Sequence, residues 1–245
     1  MGSLRVLLTG ATGFLGSHLL LEGIRRGHKI IAVVRSFKSL DKLDPEKRRS
    51  IEDLKDKVCY VEQDLIRDKN VSRLIENAYN CFKGIDAVIN SAAMWDDTNP
   101  RIITYERWIE VLTLNLIIPY QIAIEASKYM RDGVIVNISC LSSLRGHKIY
   151  DPLKPSPAYI ASKTALNAVT RYLAEILAEK DIIVIGVAPS WIEKPEIERY
   201  RRELERKLPL KRAAKPEEVS KVVYYLIEEK NPYLSGAIIE IPGAL

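Results

Sequence analysis

A tyrosine and a lysine, Tyr159 and Lys163, lie four residues apart in a largely apolar segment with a helical pattern. Residues at this spacing share one face of an α-helix, so the phenol and the ammonium group are neighbours. A free phenol titrates near 10, and a cation about 4–6 Å away favours the phenolate and lowers the pKa. The spacing therefore predicts a general acid/base pair, with an ordinary surface tyrosine and lysine as the alternative.

A glycine-rich turn near the N-terminus, from Gly10 to Gly16, is the second group of candidate residues. An apolar run typical of a strand precedes it, and a helical pattern follows. Such a turn points backbone N–H groups and the positive helix end at an anion, usually the pyrophosphate of a dinucleotide. Its spacing is Gly-x-x-Gly-x-x-Gly rather than the Gly-x-Gly-x-x-Gly of the usual fingerprint, and a plain turn is the alternative.

Strand and helix patterns alternate along the chain, which predicts a Rossmann-type α/β fold: a doubly wound parallel sheet of about seven strands with helices on both faces. No linker or repeat divides the 245 residues, so 1–245 is interpreted as a single dinucleotide-binding domain. Two loops, 94–104 and 190–212, are expected to shape the substrate pocket. The predicted strands cover 4–9, 29–34, 58–62, 85–90, 133–139, 181–188 and 237–241. The predicted helices cover 17–22, 71–82, 105–130 and 158–179, with others beginning after residues 45 and 216.

Composition limits the classes of function. The net charge of +5 suits a phosphate-bearing ligand but is too small to indicate nucleic acid. Cys59, Cys81 and Cys140 form no Cys-x-x-Cys pair, which predicts no disulfide framework and no metal site, and favours a reducing, cytoplasmic location. No apolar run reaches about 18 residues, so no membrane-spanning helix is predicted. His147 is interpreted as an exposed loop residue, and the mixed charges of 198–207 as a solvated helix over the substrate cleft.

The order of the short motifs resembles that of the short-chain dehydrogenase/reductase family over essentially the whole chain. The glycine spacing and the segment that begins at Asn90 are similar to the family's extended branch, whereas the C-terminal half is similar to the classical branch, which we favour. Ser190 and Lys194 stand where the classical pattern has glycine and threonine. The motifs lie at 9–16, 64–65, 90–93, 108, 115, 136–139, 159–163, 187–192, 209–210, 216–219 and 233–236.

The resemblance implies a role for each motif. Tyr159 would pass a proton to the substrate carbonyl while a nicotinamide delivers hydride, and Lys163 would bind the nicotinamide ribose and lower the pKa of Tyr159. Asn115 would hold a water molecule that relays protons to Lys163. The other implied cofactor contacts are Thr9, Gly10, Thr12, Gly13, Phe14, Leu15 and Gly16 at the turn, Asp64 and Leu65 at the adenine, Asn90 and Ala92 beside the adenosine, and Pro189 and Ile192 at the carboxamide.

One catalytic position departs from the family pattern, because Cys140 stands where the serine is expected and a thiol is a weak hydrogen-bond donor. Ser139 should point away from the cleft, since alternate residues of a strand face opposite ways. Ser142 returns to the Cys140 side if the chain stays extended, displaced by about 6–7 Å. We therefore expect Ser142 to polarise the carbonyl, with Cys140 second, and Tyr159 acting alone as the alternative.

Two further expectations concern the cofactor and the assembly. Arg35 and Ser36, with Lys38 nearby, follow the second strand, where a member selecting NAD has an acidic residue. A guanidinium there can pair with a 2′-phosphate, so NADP(H) is favoured over NAD(H). The helix 158–179 has more apolar surface than one sheet face can cover, which predicts a homodimer or homotetramer.

Together these residues predict an oxidoreductase that transfers hydride between NADP(H) and a small-molecule carbonyl or alcohol substrate, with neither nucleic acid nor membrane as partner. A non-catalytic dinucleotide-binding redox sensor on the same fold is the alternative from another class, and the missing serine favours it. A third interpretation, a sugar-nucleotide enzyme of the extended branch, is supported by the glycine turn alone.

Overall fold

The computed structural model describes residues 2–146 and 154–245, so His147 lies outside the described residues. Its sheet has seven parallel strands in the order β3-β2-β1-β4-β5-β6-β7, which confirms the predicted doubly wound fold. The order reverses direction between β1 and β4, and ligands of such sheets bind at the carboxyl ends beside this point. The strands are β1 (Arg5–Thr9), β2 (Lys29–Val34), β3 (Val58–Glu62), β4 (Ala87–Asn90), β5 (Val134–Ile138), β6 (Ile183–Pro189) and β7 (Ile238–Ile241).

Helices cover both faces of the sheet. The helices of the described residues are α1 (Phe14–Arg25), α2 (Pro45–Glu52), α3 (Val71–Phe82), α4 (Tyr105–Leu112), α5 (Ile118–Ala126), α6 (Ser142–Arg145), α7 (Pro157–Leu177), α8 (Arg201–Lys207) and α9 (Pro216–Glu229). Helices α1, α2 and α9 contribute to the apolar core on one face, and α3, α5 and α7 to the core on the other.

Strand β1 shows why the sheet is buried on both sides. Val6 and Leu8 belong to the core beneath α1 and α9, whereas Leu7 between them belongs to the core beneath α3, α5 and α7. All three side chains are fully buried. Successive side chains of a strand point to opposite faces, so a parallel strand covered on both sides is apolar throughout.

The helix predicted over 105–130 is interrupted. A π-helical segment, Thr113–Ile117, separates α4 from α5, and Asn115 is its central residue. Pro119 has no N–H to donate to the carbonyl four residues earlier, which is that of Asn115, so a regular α-helix cannot continue here. Single π turns of this kind occur frequently at functional sites.

The same stretch, Tyr105–Ala126, is long and apolar enough to cross a membrane by length and composition. The sequence prediction did not include this stretch, because α4 carries charged residues among its apolar ones and so breaks the apolar run. Half of its apolar window is buried inside the fold.

The cysteine interpretation needs a correction, because the structure joins Cys59 of β3 to Cys81 of α3 in a disulfide. Their Cα atoms are 5.9 Å apart, although 22 residues separate them along the chain. A strand and the helix that follows it bring together cysteines whose sequence spacing matches no motif. The cysteines therefore give no support to a reducing compartment, and the cytoplasmic location stays a prediction.

Candidate active site

The carboxyl ends of the central strands open into a cavity of about 1060 Å³. The glycine turn lies at one end of it, Tyr159 and Lys163 lie along its wall, and α8 closes the other end. This volume is at the upper limit of ordinary ligand pockets, which suits two ligands side by side. The predicted residues that line it are Gly10, Thr12, Gly13, Phe14, Leu15, Gly16, Arg35, Asp64, Leu65, Ala92, Cys140, Ser142, Tyr159, Lys163, Pro189 and Ile192.

The first turn requires glycine at two positions. Gly10 has a φ of +69°, and a Cβ atom there would lie 2.8 Å from the Cα of Ala92. A Cβ on Gly16 would lie 1.9 Å from the carbonyl oxygen of Gly10. Only glycine lets the chain turn this tightly and enter α1 at Phe14. The N-terminus of α1 thus presents its N–H groups to the cavity, as anion binding requires.

Two predicted cofactor residues, Thr9 and Asn90, have their side chains beneath the cavity instead of along its wall. The Thr9 hydroxyl accepts two backbone N–H groups that follow β4, each at 3.1 Å. The Asn90 amide donates to Asn137 Oδ1 at 2.9 Å, and the Asn137 amide donates to Thr170 Oγ1 at 2.9 Å. These bonds connect β1, β4, β5 and α7, so both residues support the floor of the site.

The side chain of Asn115 is fully buried and bound to protein groups. Its Oδ1 accepts the N–H of Met94 at 2.7 Å, and its Nδ2 donates to the Met94 carbonyl at 3.0 Å and to Ser162 Oγ at 3.1 Å. Asn115 therefore holds the start of the 94–104 loop against α7, because it binds both Met94 and Ser162, the residue directly before Lys163. A water relay from this residue would depend on its backbone carbonyl, which lacks the α-helical donor at Pro119.

Tyr159 and Lys163 lie on the first turns of α7, where Ser156 Oγ accepts the Tyr159 N–H at 3.1 Å. Both side chains are buried. The Lys163 ammonium donates to the Ile138 carbonyl at 2.7 Å, and burial lowers the pKa of Lys163 to about 8. Burial raises the pKa of Tyr159 well above its usual value. The expected lowering by Lys163 is therefore not found, since burial dominates in this apolar wall.

Cys140 stands at the position of the missing serine and lines the cavity with Tyr159 and Lys163. Its interaction with the phenol raises the pKa of Tyr159 further, and it opposes the lowering of the Lys163 pKa. Ser142, which is the first residue of α6, lines the same cavity. The Ser139 hydroxyl donates to Asn167 Oδ1 at 2.6 Å. Both Cys140 and Ser142 therefore line the cavity, and the electrostatic coupling of Cys140 to Tyr159 favours Cys140 for the carbonyl-polarising role that the sequence analysis gave first to Ser142, which stays a prediction.

The part of the cavity beside the glycine turn, here called the cofactor end, carries two exposed cations, Arg35 and Lys38. Among the described side chains, no carboxylate forms an ion pair with Arg35. The nearby Asp64 carboxylate accepts the N–H groups of Ile66 at 3.0 Å and Arg67 at 3.2 Å, so it shapes its own turn. A guanidinium without a carboxylate partner beside the end of β2 is suited to bind a phosphate.

Sequence reasoning assigned no substrate role to three residues beside Tyr159, although it noted Lys194 as a departure from the family pattern. The Trp95 ring packs edge-on against the Tyr159 ring, with 4.7 Å between centroids. The Lys194 ammonium lies 5.4 Å from the centroid of Trp95, and Trp191 lines the same part of the cavity. For the two tryptophans, the position inside the two variable loops was the available signal, because loop side chains have no periodicity that indicates their direction.

The cover of the substrate end consists of a 3-10 segment, Pro195–Tyr200, followed by α8. A small apolar cluster of its own holds it together, formed by Ile197, Leu204, Leu208 and Ala213. Trp95 and Trp191 pack against this cluster from the cavity side. The charged segment 198–207 therefore lies over the cleft, with its apolar positions facing inward.

This geometry is that of the short-chain dehydrogenase/reductase family, and the chain belongs to it. A family model described as enoyl-(acyl carrier protein) reductase matches residues 25–243, nearly the whole chain. The relatives carry the names of reductases and dehydrogenases, and the protein is an oxidoreductase of this family.

Two curated relatives align along almost their full length. One is the acetoacetyl-CoA reductase of an Acinetobacter species, 30% identical over 98% of this chain and 96% of the relative. Another is the 3-oxoacyl-[acyl-carrier-protein] reductase FabG of Thermotoga maritima, 31% identical over the same shares. Among solved structures, a glucose/ribitol dehydrogenase from Brucella melitensis superimposes with a TM-score of 0.85 at 23% identity, covering 98% of this chain and 95% of that one, which shows the fold.

Proposed function

We propose that the protein reduces a carbonyl group, or oxidises the corresponding alcohol, with NADP(H), and that Tyr159 is the general acid/base. The observation that carries the proposal is the single cavity that joins the glycine turn at the N-terminus of α1 to the buried Tyr159 and Lys163. The residues fit a dinucleotide, because Gly10 and Gly16 allow a tight turn into α1 whose backbone N–H groups can bind a pyrophosphate, and this turn lines the cavity. The nicotinamide supplies the hydride when bound.

The electrostatics of Tyr159 favour proton donation. Because burial raises its pKa, the phenol carries its proton at neutral pH and can give it to a carbonyl oxygen. In the oxidation direction the same group must first lose its proton, so that direction gains from higher pH. The Cys140 thiol lines the same cavity, and in its protonated form it is the second donor available to the carbonyl.

Lys163 and Asn115 keep this arrangement in place. The Lys163 ammonium is held by the Ile138 carbonyl next to the cavity, where it can bind the hydroxyl groups of a ribose. Its pKa of about 8 lets it exchange a proton near neutral pH. The Asn115 carbonyl would hold the water molecule through which that proton reaches solvent, as the family resemblance implies.

The direct test is turnover of NADPH and NADH with a panel of aldehydes and ketones, followed at 340 nm in both directions. We expect reduction with NADPH. Tight NADPH binding without turnover of any member of a broad panel would contradict the catalytic proposal and favour the dinucleotide-binding sensor.

Replacing Arg35 by alanine is expected to weaken NADPH binding by about 10-fold or more and to leave NADH binding within about twofold. The guanidinium can form charge-assisted hydrogen bonds to the 2′-phosphate, worth about 1.5–3 kcal/mol each, and NADH lacks this group. Titration calorimetry with both cofactors measures the difference. Arg131→Ala, an exposed arginine of the α5–β5 loop, is the matched control. Equal or tighter binding of NADH by the unaltered protein would contradict NADP(H) selectivity.

The protein is expected to be a homodimer or homotetramer in solution. Helix α7 packs against α4 and exposes Tyr172, while Tyr105, Ile109 and Ile117 are exposed on the neighbouring α4 and π segment. Contiguous exposed apolar groups of this kind mark interfaces. Light scattering should give a multiple of the 27.8 kDa chain mass. A monomer mass for the unaltered protein at micromolar concentration would contradict the prediction.

Two charge variants locate the interface. Ala168→Glu, on the exposed face of α7, should lower the mass of the assembly, whereas Lys221→Glu should not.

A further inference from the structure

Cationic side chains line the substrate end of the cavity, the part beside Tyr159, Trp95 and α8. Besides the buried Lys163, it is lined by Arg145, Lys194 and Lys207. Asp64 is the one acidic side chain among the described residues that line the cavity, and it lies at the opposite, adenine end. A cleft lined by charges of one sign concentrates ligands of the other sign. The substrate end therefore favours an anionic ligand.

The three surface cations of this end differ in what they contact. Arg145 pairs with Glu240, and Lys207 pairs with Glu203. The ammonium group of Lys194 lies over the Trp95 ring, and no ion pair to it occurs among the described side chains. Because a cation–π contact does not use the N–H groups of an ammonium, the half-buried Lys194 ammonium can still donate hydrogen bonds to a ligand.

The position of Lys194 relative to the proton donor is set by Trp95. The indole contacts both groups: its ring packs edge-on against the Tyr159 ring, and the Lys194 ammonium lies 5.4 Å from its centroid. An anion held by Lys194 would thus lie near the phenol that protonates the carbonyl. The indole and the nearby Trp191 offer apolar surface to the part of the substrate in between.

We propose, given the carbonyl reduction proposed above, that the substrate is a carbonyl compound with a carboxylate or phosphate group near the carbonyl. Lys194 binds this anion, and Trp95 packs against the flat or apolar part that connects the two groups. Lys194 is thus a specificity-determining residue of the substrate end.

The test compares ligands that differ in charge. The probes are 4-acetylbenzoate, its neutral methyl ester, and 4-acetylphenyl phosphate with 4-methoxyacetophenone as its neutral counterpart. Binding is measured by titration calorimetry with and without NADP⁺, and turnover is measured separately with NADPH. We expect at least one anion to bind about 10-fold tighter than its neutral counterpart, and this ratio to fall with added salt. The stronger of the two anions identifies carboxylate or phosphate as the group recognised.

The variant Lys194→Met should reduce the anion-to-neutral ratio to about one, while NADP⁺ affinity stays within about twofold. Lys221→Met, an exposed lysine of α9, should keep the ratio of the unaltered protein. Equal binding of the acids and their neutral counterparts overturns the inference. So does a Lys194→Met variant that keeps the ratio and loses NADP⁺ affinity, because Lys194 would then be a cofactor residue.

The two proposals fail in different ways. Selective binding of the anions without turnover would leave the anion site standing and contradict the reductase. Equal turnover and equal binding of charged and neutral ketones would leave the reductase standing and contradict the anion site.

Discussion

The variant Tyr159→Phe is expected to lose about 10²–10⁴ in kcat while NADPH affinity stays within about twofold. The substitution removes one hydroxyl from a buried ring and keeps the ring's contact with Trp95, so the cavity retains its shape. General acid catalysis by a positioned side chain contributes about this factor. Single-turnover reduction of a ketone, with the Kd for NADPH measured beside it, separates the two effects.

Tyr172→Phe is the control for this experiment. It removes an equivalent hydroxyl from the same helix. Tyr172 is 56% exposed, and it is not among the described residues that line the cavity. We expect it to have no effect on kcat. The unaltered enzyme should also oxidise alcohols faster as the pH rises, because the high pKa of Tyr159 keeps the phenol protonated at neutral pH. Near-normal turnover by Tyr159→Phe would exclude the phenol as proton donor.

Replacing Cys140 by alanine is expected to reduce kcat by about 10²–10³, the usual cost of losing a donor to a developing oxyanion. Cys140 lines the cavity with Tyr159 and Lys163, and it influences the pKa of both. Cys140→Ser places the stronger hydroxyl donor at the same position, so its kcat should equal or exceed that of the unaltered enzyme. Both variants are compared at saturating NADPH.

Ser142→Ala provides the opposing test, since the sequence pattern favours Ser142 for this role. We expect this variant to keep its kcat within about threefold, because Ser142 lies two residues further along, at the start of α6. Loss of turnover in Ser142→Ala together with full activity in Cys140→Ala would return the role to the serine. Full activity in both would leave Tyr159 as the only side chain needed at the carbonyl.

The sheet and the cofactor end of the site follow from local sequence. Buried parallel strands are continuous apolar runs, so all seven were found, with ends that differ from the structure by a few residues. Gly10 is required by its positive φ and Gly16 by its contact with the Gly10 carbonyl, and both lie within one short turn. Tyr159 and Lys163 share a helix face by their spacing. Each of these features depends on residues near one another along the chain.

The features that sequence reasoning missed depend on contacts between distant segments. Trp95 and Lys194 come from loops almost 100 residues apart, and their contact exists only after the cover folds over the cavity. The side chain of Asn90 points to Asn137 because β4 and β5 are neighbours in the sheet, which its own motif does not encode. The choice between Cys140 and Ser142 likewise depends on where the chain turns after β5.

The disulfide has a consequence for the sheet edge. Strand β3 is the outermost strand on its side, and an edge strand exposes N–H and C=O groups that can pair with another chain. The bond from Cys59 to Cys81 fastens this strand to α3, which packs beside it. Local unfolding begins where few contacts hold an element. In a reducing environment, the edge is therefore expected to open before the central strands, and hydrogen exchange in 58–62 would report this opening as an early loss of protection.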